Sequence, residues 1–237
     1  MTELPETWRR AAREALALVS PIDCAGCGAP DVELCDACPR KLRPEPTVTA
    51  LADGTPVVAA LRYEGVVRDV VLEFKQRGRL RLARPLAPAL REAVLVASRL
   101  RVVLPPVPPA TGPRAVDDPG MLVVAAPSSA SGRRRRGYDP VALLVARAGF
   151  GRPPRILRLR LGGGTQKRRD LDGRRTARVG TMICSRVVQG RSVIVVDDVM
   201  TSGGTLVEAV RAVSDAGGSV VACAVLAATP RASDARE

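Results

Sequence analysis

The stretch VIVVDDVMTSGGT, residues 193–205, joins an apolar run to two adjacent acids and a loop of small residues. Residues 193–196 are apolar at every position, which is typical of a central strand buried on both faces of a parallel sheet. Ligands of such sheets bind beyond the carboxyl ends of the strands, and Asp197 and Asp198 follow the run there. The stretch therefore predicts a ligand site at the end of a buried strand.

The two acids, called the acid pair below, are costly side by side unless a metal ion or hydrogen-bond donors such as sugar hydroxyls receive them. The small-residue loop, residues 201–205, opens a predicted helix. Small residues let backbone N–H groups close on a phosphate, and the helix N-terminus adds positive potential. An acid that caps a helix before a glycine turn is the alternative, but this sequence favours a site for a ribose 5-phosphate.

Strand and helix patterns alternate over the surrounding C-terminal region, which we place at residues 121–230. Strands are predicted at MLVVA, RILRLR, VGTMI, SVIVV and SVVACAVLAA, and helices at DPVALLVARAG and TLVEAVRAVSDAGG. This alternation predicts an α/β fold with a doubly wound, mostly parallel sheet.

Three segments precede that region. Residues 1–20 have the spacing of an amphipathic helix, and residues 21–46 hold four cysteines. Residues 47–120 contain a predicted hairpin, two helices and a proline-rich linker over 101–120. We therefore expect a small N-terminal knuckle and a hairpin-and-helix subdomain beside the sheet.

Local patterns define the hairpin and its first helix. The hairpin turn is predicted near Asp53 and Gly54, between two runs with strand character. The helix that follows has an apolar face at helical spacing. That face consists of Val67, Val70, Val71 and Phe74.

Four cysteines have the spacing C-x2-C-x7-C-x2-C. They are Cys24, Cys27, Cys35 and Cys38. Two such knuckles can close a tetrahedral all-thiolate zinc site with no open position, so we predict structural zinc. Disulfides and redox thiols are the alternatives; they are disfavoured because no secretory signal or redox-motif context is visible. Cys184 and Cys223 lie in apolar strand contexts and are predicted to be buried core thiols.

The composition limits the chemistry. The 237 residues include no histidine, so Ser-His-Asp and Cys-His catalysis and histidine metal ligands are excluded. Lys and Arg number 37 against 24 Asp and Glu, a formal net charge of +13, which favours anionic partners. The charge is dense at residues 132–137 and 166–178, where a solvated loop face is the alternative.

No targeting signal and no apolar run long enough for a membrane span are visible in the sequence. We therefore expect a cytoplasmic protein without membrane insertion.

The stretch at 193–205 closely resembles the signature of type I phosphoribosyltransferases, which bind phosphoribosyl pyrophosphate (PRPP). The resemblance implies that Asp197 and Asp198 hold the ribose 2- and 3-hydroxyls. It also implies that the following residues wrap the 5-phosphate. These are Met200, Thr201, Ser202, Gly203, Gly204 and Thr205.

The order of motifs over residues 20–230 resembles the ComF family. The four-cysteine knuckle comes first, followed by YEGVVRDVVLEFKQRGRLRLARPLAPAL, APSSASGRRRRGYDPVALLVARA, a basic loop that contains Gln166, and the acid pair. The resemblance implies a phosphoribosyltransferase-like fold and a link to DNA uptake in natural competence.

If the protein is an enzyme, it must stabilise departing pyrophosphate, for which Mg²⁺ and fixed cations suffice without histidine. We predict a pyrophosphate cradle after MLVVA, with Ser128 and Ser129 in it and Arg133 beside it. The loop 162–178 is a predicted lid in which Lys167 closes over the phosphates; a basic loop without that role is the alternative.

Three functions compete. The first is a phosphoribosyltransferase with an acceptor that the sequence does not name. The second is a non-enzymatic, PRPP-responsive partner of a DNA-uptake helicase or motor protein. The third is direct binding of single-stranded DNA by the basic runs, which ranks last because few aromatic residues lie near them.

Overall fold

A computed structural model describes residues 22–100, 121–128, 137–160 and 180–230. The predicted leading helix, the proline-rich linker and the predicted lid lie outside these residues. The strands are β1 (Thr47–Ala50), β2 (Pro56–Arg62), β3 (Leu122–Ala125), β4 (Leu157–Leu159), β5 (Met182–Cys184), β6 (Ser192–Met200) and β7 (Ser219–Ala228). The helices are α1 (Gly65–Gln76), α2 (Ala83–Leu100), α3 (Pro140–Val145) and α4 (Gly204–Asp215).

The main sheet has five strands in the order β1-β2-β7-β6-β3. Strands β2, β7, β6 and β3 are parallel, and only β1 at the edge is antiparallel among the strands of this sheet. At mid-sheet, Val195 of β6 pairs with Cys223 of β7, which pairs with Val57 of β2. The predicted α/β fold with a mostly parallel sheet is confirmed.

The predicted hairpin is formed by β1 and β2. Its turn contains Asp53, whose Oδ1 accepts a hydrogen bond from Thr55 N at 2.9 Å, and Gly54 at φ +83°. The sequence did not indicate where the hairpin packs. Because β2 pairs with β7, the hairpin extends the main sheet and is continuous with it.

The two faces of the sheet have separate apolar cores. Alternate residues of β6 explain the division: Ile194 and Val196 contribute to one core, and Val193 and Val195 to the other. Helices α1, α2 and α3 pack on the first face, and α4 packs on the second. Burial of both faces is the reason why β2, β6 and β7 have apolar residues at successive positions.

Helix α1 buries the face that its spacing predicts. Val67, Val70, Val71 and Phe74 of α1 are all buried. Helix α2 also buries one face, and the arginines on its other side, Arg84, Arg91 and Arg99, are exposed. Within the residues that the structure describes, no helix has the length and apolar composition needed to span a membrane.

The segment predicted as one helix at DPVALLVARAG has two parts. Asp139 caps α3, because its Oδ1 accepts a hydrogen bond from Ala142 N at 3.2 Å, and Pro140 occupies the first helical position, where no N–H is needed. The α-helix ends at Val145 and continues as a π-helical turn, Ala146–Phe150. Gly149 has φ +92°, a conformation that ends regular helix.

Strands β4 and β5 do not join the main sheet, although both were predicted as strands of the alternating pattern. They form a separate antiparallel pair in which Leu157 pairs with Cys184. Each strand has three residues, and Arg158 at the centre of β4 is exposed. A strand with a charged residue at its centre does not suit the interior of a sheet buried on both faces.

An ion pair with one buried partner attaches β5 to α4. Glu208 is 4% exposed, and its Oε1 accepts hydrogen bonds from Met182 N and from Arg211 Nη2, both at 2.8 Å. Arg211 Nη2 also donates to Met182 O at 2.9 Å. The hydrogen bonds from Arg211 lower the pKa of Glu208 to about 2, against the opposing effect of burial.

We expect Glu208→Gln to destabilise the protein by about 2 kcal/mol at neutral pH, because an amide cannot replace the charged acceptor. Ionised Glu208 stabilises the fold above its ordinary pKa of 4.5, and this contribution is lost as the pH falls towards about 2. Urea unfolding at about pH 7 and about pH 3 therefore gives a smaller difference between variant and wild type in acid.

The control for this variant is Glu64→Gln. It removes an ion pair with Arg62 in which both side chains are more than half exposed, so its expected cost is below about 1 kcal/mol. Equal stability of Glu208→Gln and the wild type at neutral pH would contradict the role of this pair.

Candidate functional site

The acid pair lies at the carboxyl end of the main sheet. Strand β6 continues through both acids to Met200 and does not end at Val196, because β7 pairs with it as far as Ala228. On the other side, Ala126 N donates a hydrogen bond to Val196 O at 2.8 Å, just after β3 ends. The acid pair therefore lies between two neighbouring strands, at the edge where open α/β sheets bind ligands.

Local backbone contacts orient the two carboxylates. Asp197 Oδ1 accepts a hydrogen bond from Asp198 N at 2.8 Å, and Asp198 Oδ1 accepts one from Val199 N at 2.8 Å. Asp198 is 5% exposed, and Asp197 is half-buried. The site thus holds one nearly buried acid and one half-buried acid side by side.

Asp198 also forms an ion pair that the sequence analysis missed. Lys75 Nζ, at the end of α1, donates to Asp198 Oδ1 at 2.8 Å, across 123 positions of sequence. The one sequence signal was a cation directly after Phe74, at the border of the buried face of α1. That signal marks the edge of a helix face and does not predict the distant partner.

The surroundings of Asp197 shift the pKa of its carboxyl group. Burial, together with the negative charge of Asp198, raises the pKa of Asp197 to about 8. The backbone N–H of Asp198 and the charge of Lys75 act in the opposite direction. Near neutral pH the pair therefore holds a proton on Asp197 until donors or cations reach it.

The small-residue loop has the geometry that requires glycine. Gly203 has φ +76°, and a Cβ there would lie 3.1 Å from Leu51 Cδ2. Gly204 is the first residue of α4, and the first backbone N–H groups of an α-helix have no acceptor within the helix. This arrangement can bind an anion.

The side chains of the loop differ in exposure. Thr201, Ser202 and Thr205 are exposed, so their hydroxyls can reach a ligand. The side chain of Met200 is 7% exposed and packs in the core beside α4. A ligand contact from Met200 would therefore come from its backbone.

The predicted pyrophosphate cradle is described in part. Ser128 follows β3, and its Oγ donates a hydrogen bond to Asp139 Oδ2 at 2.8 Å. This bond joins the cradle to the start of α3, near the same edge of the sheet. Ser129, Arg133 and Lys167 lie outside the described residues.

The four cysteines come together as a metal site requires. Their sulfur atoms all lie within 4.8 Å of one another. The pairs Cys24–Cys38, Cys27–Cys35 and Cys35–Cys38 have sulfur–sulfur distances of 3.7, 3.6 and 3.5 Å. A tetrahedral zinc ion with bonds of about 2.3 Å places its sulfurs about 3.8 Å apart, so the cluster fits zinc.

The backbone of the knuckle supports the cluster. Cys35 N donates to Cys24 Sγ at 3.3 Å, and such donors stabilise thiolate ligands. A Cβ on Gly26 would lie 2.8 Å from both Cys38 Sγ and Val66 Cγ1, so only glycine fits between the cluster and α1. The cluster is packed against the fold, as a structural metal site would be.

The remaining two cysteines differ from each other. Cys223 in β7 is fully buried, as predicted. Cys184 is partly exposed, contrary to the prediction, because β5 belongs to the small surface sheet.

We expect the purified protein to contain about one zinc ion per chain. Cys35→Ser should lose the metal and lower the Tm by about 5 °C or more, because the metal links two knuckles that are distant in sequence. Elemental analysis and thermal unfolding measure both effects. Cys184→Ser, outside the cluster, is the control and should keep the zinc; metal retention in Cys35→Ser would contradict the assignment.

We also expect Asp197→Asn to stabilise the ligand-free protein above neutral pH. Because the pKa of Asp197 is raised from 3.8 to about 8, the folded state keeps a proton that the unfolded state releases, and stability falls as the pH rises between these values. The variant lacks this loss, so its advantage should exceed about 1 kcal/mol near pH 8 and shrink towards pH 4. Urea unfolding at both pH values tests this, with Asp69→Asn on the surface of α1 as the control.

The comparisons with known proteins agree with this geometry. Residues 156–237 match the family model of the phosphoribosyl transferase domain. The match contains β6, the acid pair, the small-residue loop and α4, whereas the cysteine cluster and Lys75 lie outside it. No curated protein matches the chain. The chain therefore has a C-terminal segment that is similar to the phosphoribosyl transferase domain and a four-cysteine cluster nearer its N-terminus.

Proposed function

We propose that the protein binds PRPP, with the ribose hydroxyls at the acid pair and the 5-phosphate at the small-residue loop. The observation that carries this proposal is the position of Asp197 and Asp198. They follow the apolar run of a strand that is buried on both faces, two residues before a loop with a left-handed glycine and a helix N-terminus. Acceptors for a diol and donors for a phosphate are thereby joined in one segment.

The size of the segment suits one sugar phosphate. Val199 and Met200 alone separate Asp198 from the first residue of the loop. Three steps of extended chain span at most roughly 10 Å, so the backbone of Thr201, where the loop begins, lies within that distance of the backbone of Asp198. A ribose 5-phosphate has its hydroxyls and its phosphate at opposite ends of a molecule of this size.

The charge state of the acid pair suits a ligand that brings hydrogen-bond donors. Hydroxyl groups that donate to a carboxylate favour its ionised form. The ribose hydroxyls would therefore lower the pKa of Asp197, which burial and Asp198 raise in the free protein. Ligand binding would relieve an unfavourable arrangement that the free protein maintains.

The same residues suit Mg²⁺ delivered with PRPP. Magnesium is bound in proteins by one or two carboxylates together with water and substrate phosphates, and the acid pair offers two carboxylates at the proposed hydroxyl position. When bound, Mg²⁺ would neutralise charge on the pyrophosphate.

As a transferase, the protein would promote attack of an acceptor nucleophile on C1 of the ribose. The new bond forms at C1, the bond from C1 to the pyrophosphate oxygen breaks, and its electron pair leaves with pyrophosphate. Asp197 and Asp198 would orient the ring through its hydroxyls, and α4 would hold the 5-phosphate, so that C1 is presented in line. Ser128 would meet the pyrophosphate, because it follows the neighbouring strand β3 at the same edge.

The biological setting remains a prediction from resemblance. Membership of the ComF family would place this activity in DNA uptake, as a transferase or as a PRPP-responsive partner of the uptake motor. Binding of single-stranded DNA likewise remains a prediction, because most of the basic runs at 132–137 and 166–178 lies outside the described residues.

Calorimetric titration of the zinc-loaded protein with PRPP, with and without Mg²⁺, tests the proposed function. We expect saturable, Mg²⁺-dependent binding by the wild type. Asp198→Asn should lose affinity by at least about a hundredfold, because it removes a charged acceptor from the ribose hydroxyls.

Asp69→Asn makes the same carboxylate-to-amide change at an exposed acid on α1, and this variant should bind PRPP as the wild type does. Zinc content and the circular dichroism spectrum of each variant verify its fold. Absence of PRPP binding by the wild type would overturn the proposal, and unchanged affinity of Asp198→Asn would overturn the placement of the site.

A further inference from the structure

The ion pair between Lys75 and Asp198 joins the N-terminal half of the chain to the proposed ribose site. Lys75 is the next-to-last residue of α1, and Asp198 lies in β6 within the matched domain. Lys75 Nζ lies 2.8 Å from Asp198 Oδ1. The side chain of Asp198 is 6% exposed, and that of Lys75 is 38% exposed. The contact therefore places a cation from outside residues 156–237 directly on one of the two acids.

The end of α1 is attached to the fold on two sides. Tyr138 OH donates a hydrogen bond to the carbonyl oxygen of Phe74, the residue before Lys75, and the two aromatic rings lie 6.0 Å apart. Glu73 forms an ion pair with Arg79 at 3.5 Å. The backbone at Lys75 is thus held by the segment that begins α3 and by the chain that follows α1.

Arg79 extends this attachment to the four-cysteine knuckle. Its Nη1 donates to Asp23 O and its Nη2 to Glu33 O, both at 2.9 Å. Its side chain is 18% exposed. These two carbonyls flank the cysteine knuckles, so the zinc-binding segment supports the helix end that presents Lys75.

The contact compensates charge in addition to its contribution to packing. A nearly buried carboxylate is costly without a partner, and removal of that partner leaves an uncompensated charge. Lys75 supplies the partner and retains partial contact with solvent, which limits its own desolvation. An ammonium group on Oδ1 also restricts the rotation of the carboxylate about the bond that joins it to the chain.

We propose that Lys75 is a positioning residue of the ribose site, which holds the Asp198 carboxylate in the orientation that accepts a ribose hydroxyl. The inference rests on the proposed function and deepens it. It means that the phosphoribosyltransferase domain is incomplete without α1, and that the N-terminal half contributes to the site.

A direct contact between Lys75 and the pyrophosphate is the competing role. The two roles differ in their effect on ribose 5-phosphate, which has the hydroxyls and the 5-phosphate of PRPP and lacks the pyrophosphate. A positioning residue that acts through Asp198 affects both ligands equally. A residue that contacts the pyrophosphate affects PRPP alone.

The test compares the affinities of the full-length, zinc-loaded chain for PRPP and for ribose 5-phosphate by calorimetry. We expect Lys75→Met to weaken both ligands by at least about tenfold and by similar factors. Lys75→Arg keeps the charge and should remain within about threefold of the wild type, a rescue that a packing role would not give. Arg68→Met, on the exposed side of the same helix, is the matched control and should bind both ligands normally.

The outcomes separate the two proposals. If the wild type binds both ligands and Lys75→Met binds them equally well, the role of Lys75 is overturned and the proposed function stands. A loss confined to PRPP also overturns positioning, in favour of contact with pyrophosphate. If the wild type binds neither ligand, the proposed function is overturned together with this inference.

Thermal unfolding and zinc content guard against a fold defect. If Lys75→Met does not fold, Lys75→Gln, which keeps a donor without the charge, replaces it in the same comparison. A folded Lys75→Gln with wild-type affinity for both ligands would overturn the role of the charge.

Discussion

Asp198 is a nearly buried carboxylate at the point where a strand leaves the core, and its charge must be met there. Strand β6 is buried on both faces, so a charged residue is tolerated only beyond its apolar run. Lys75 meets the charge from α1, which packs on one face of the sheet. This contact depends on the position of α1. It therefore depends also on the hairpin that leads into α1 and on the start of α3.

The same arrangement relates the stability of the free protein to its site. Asp197 lies beside a charge of the same sign in a poorly solvated position, which raises its pKa. Such a pair lowers the stability of the free protein, and it persists because the surrounding sheet fixes the backbone. A destabilising arrangement of this kind is typical of binding sites. Glu208, by contrast, accepts two hydrogen bonds from Arg211.

The N-terminal half has a structural connection to the site. The cysteine cluster organises the knuckle, Arg79 binds two of the knuckle's carbonyl oxygens, and Glu73 connects Arg79 to α1. Each step is an ordinary contact, but together they form a continuous path from the cysteine cluster to Lys75. The hairpin strand β2 pairs with β7, so the two halves also share one sheet. The N-terminal half is thus structurally part of the domain that it precedes.

Local pattern was sufficient to predict the buried strand with its acids, the small-residue loop, the buried face of α1 and the clustering of the four cysteines. Each of these depends on residues that are neighbours along the chain, where periodicity and turn chemistry act. Tertiary structure alone decided the pairing of β2 with β7, the separation of β4 and β5 from the main sheet, and the contact of Lys75 with Asp198. Residues 123 positions apart have no local period in common. They meet only because packing of α1 on the sheet brings its last turn to the end of β6.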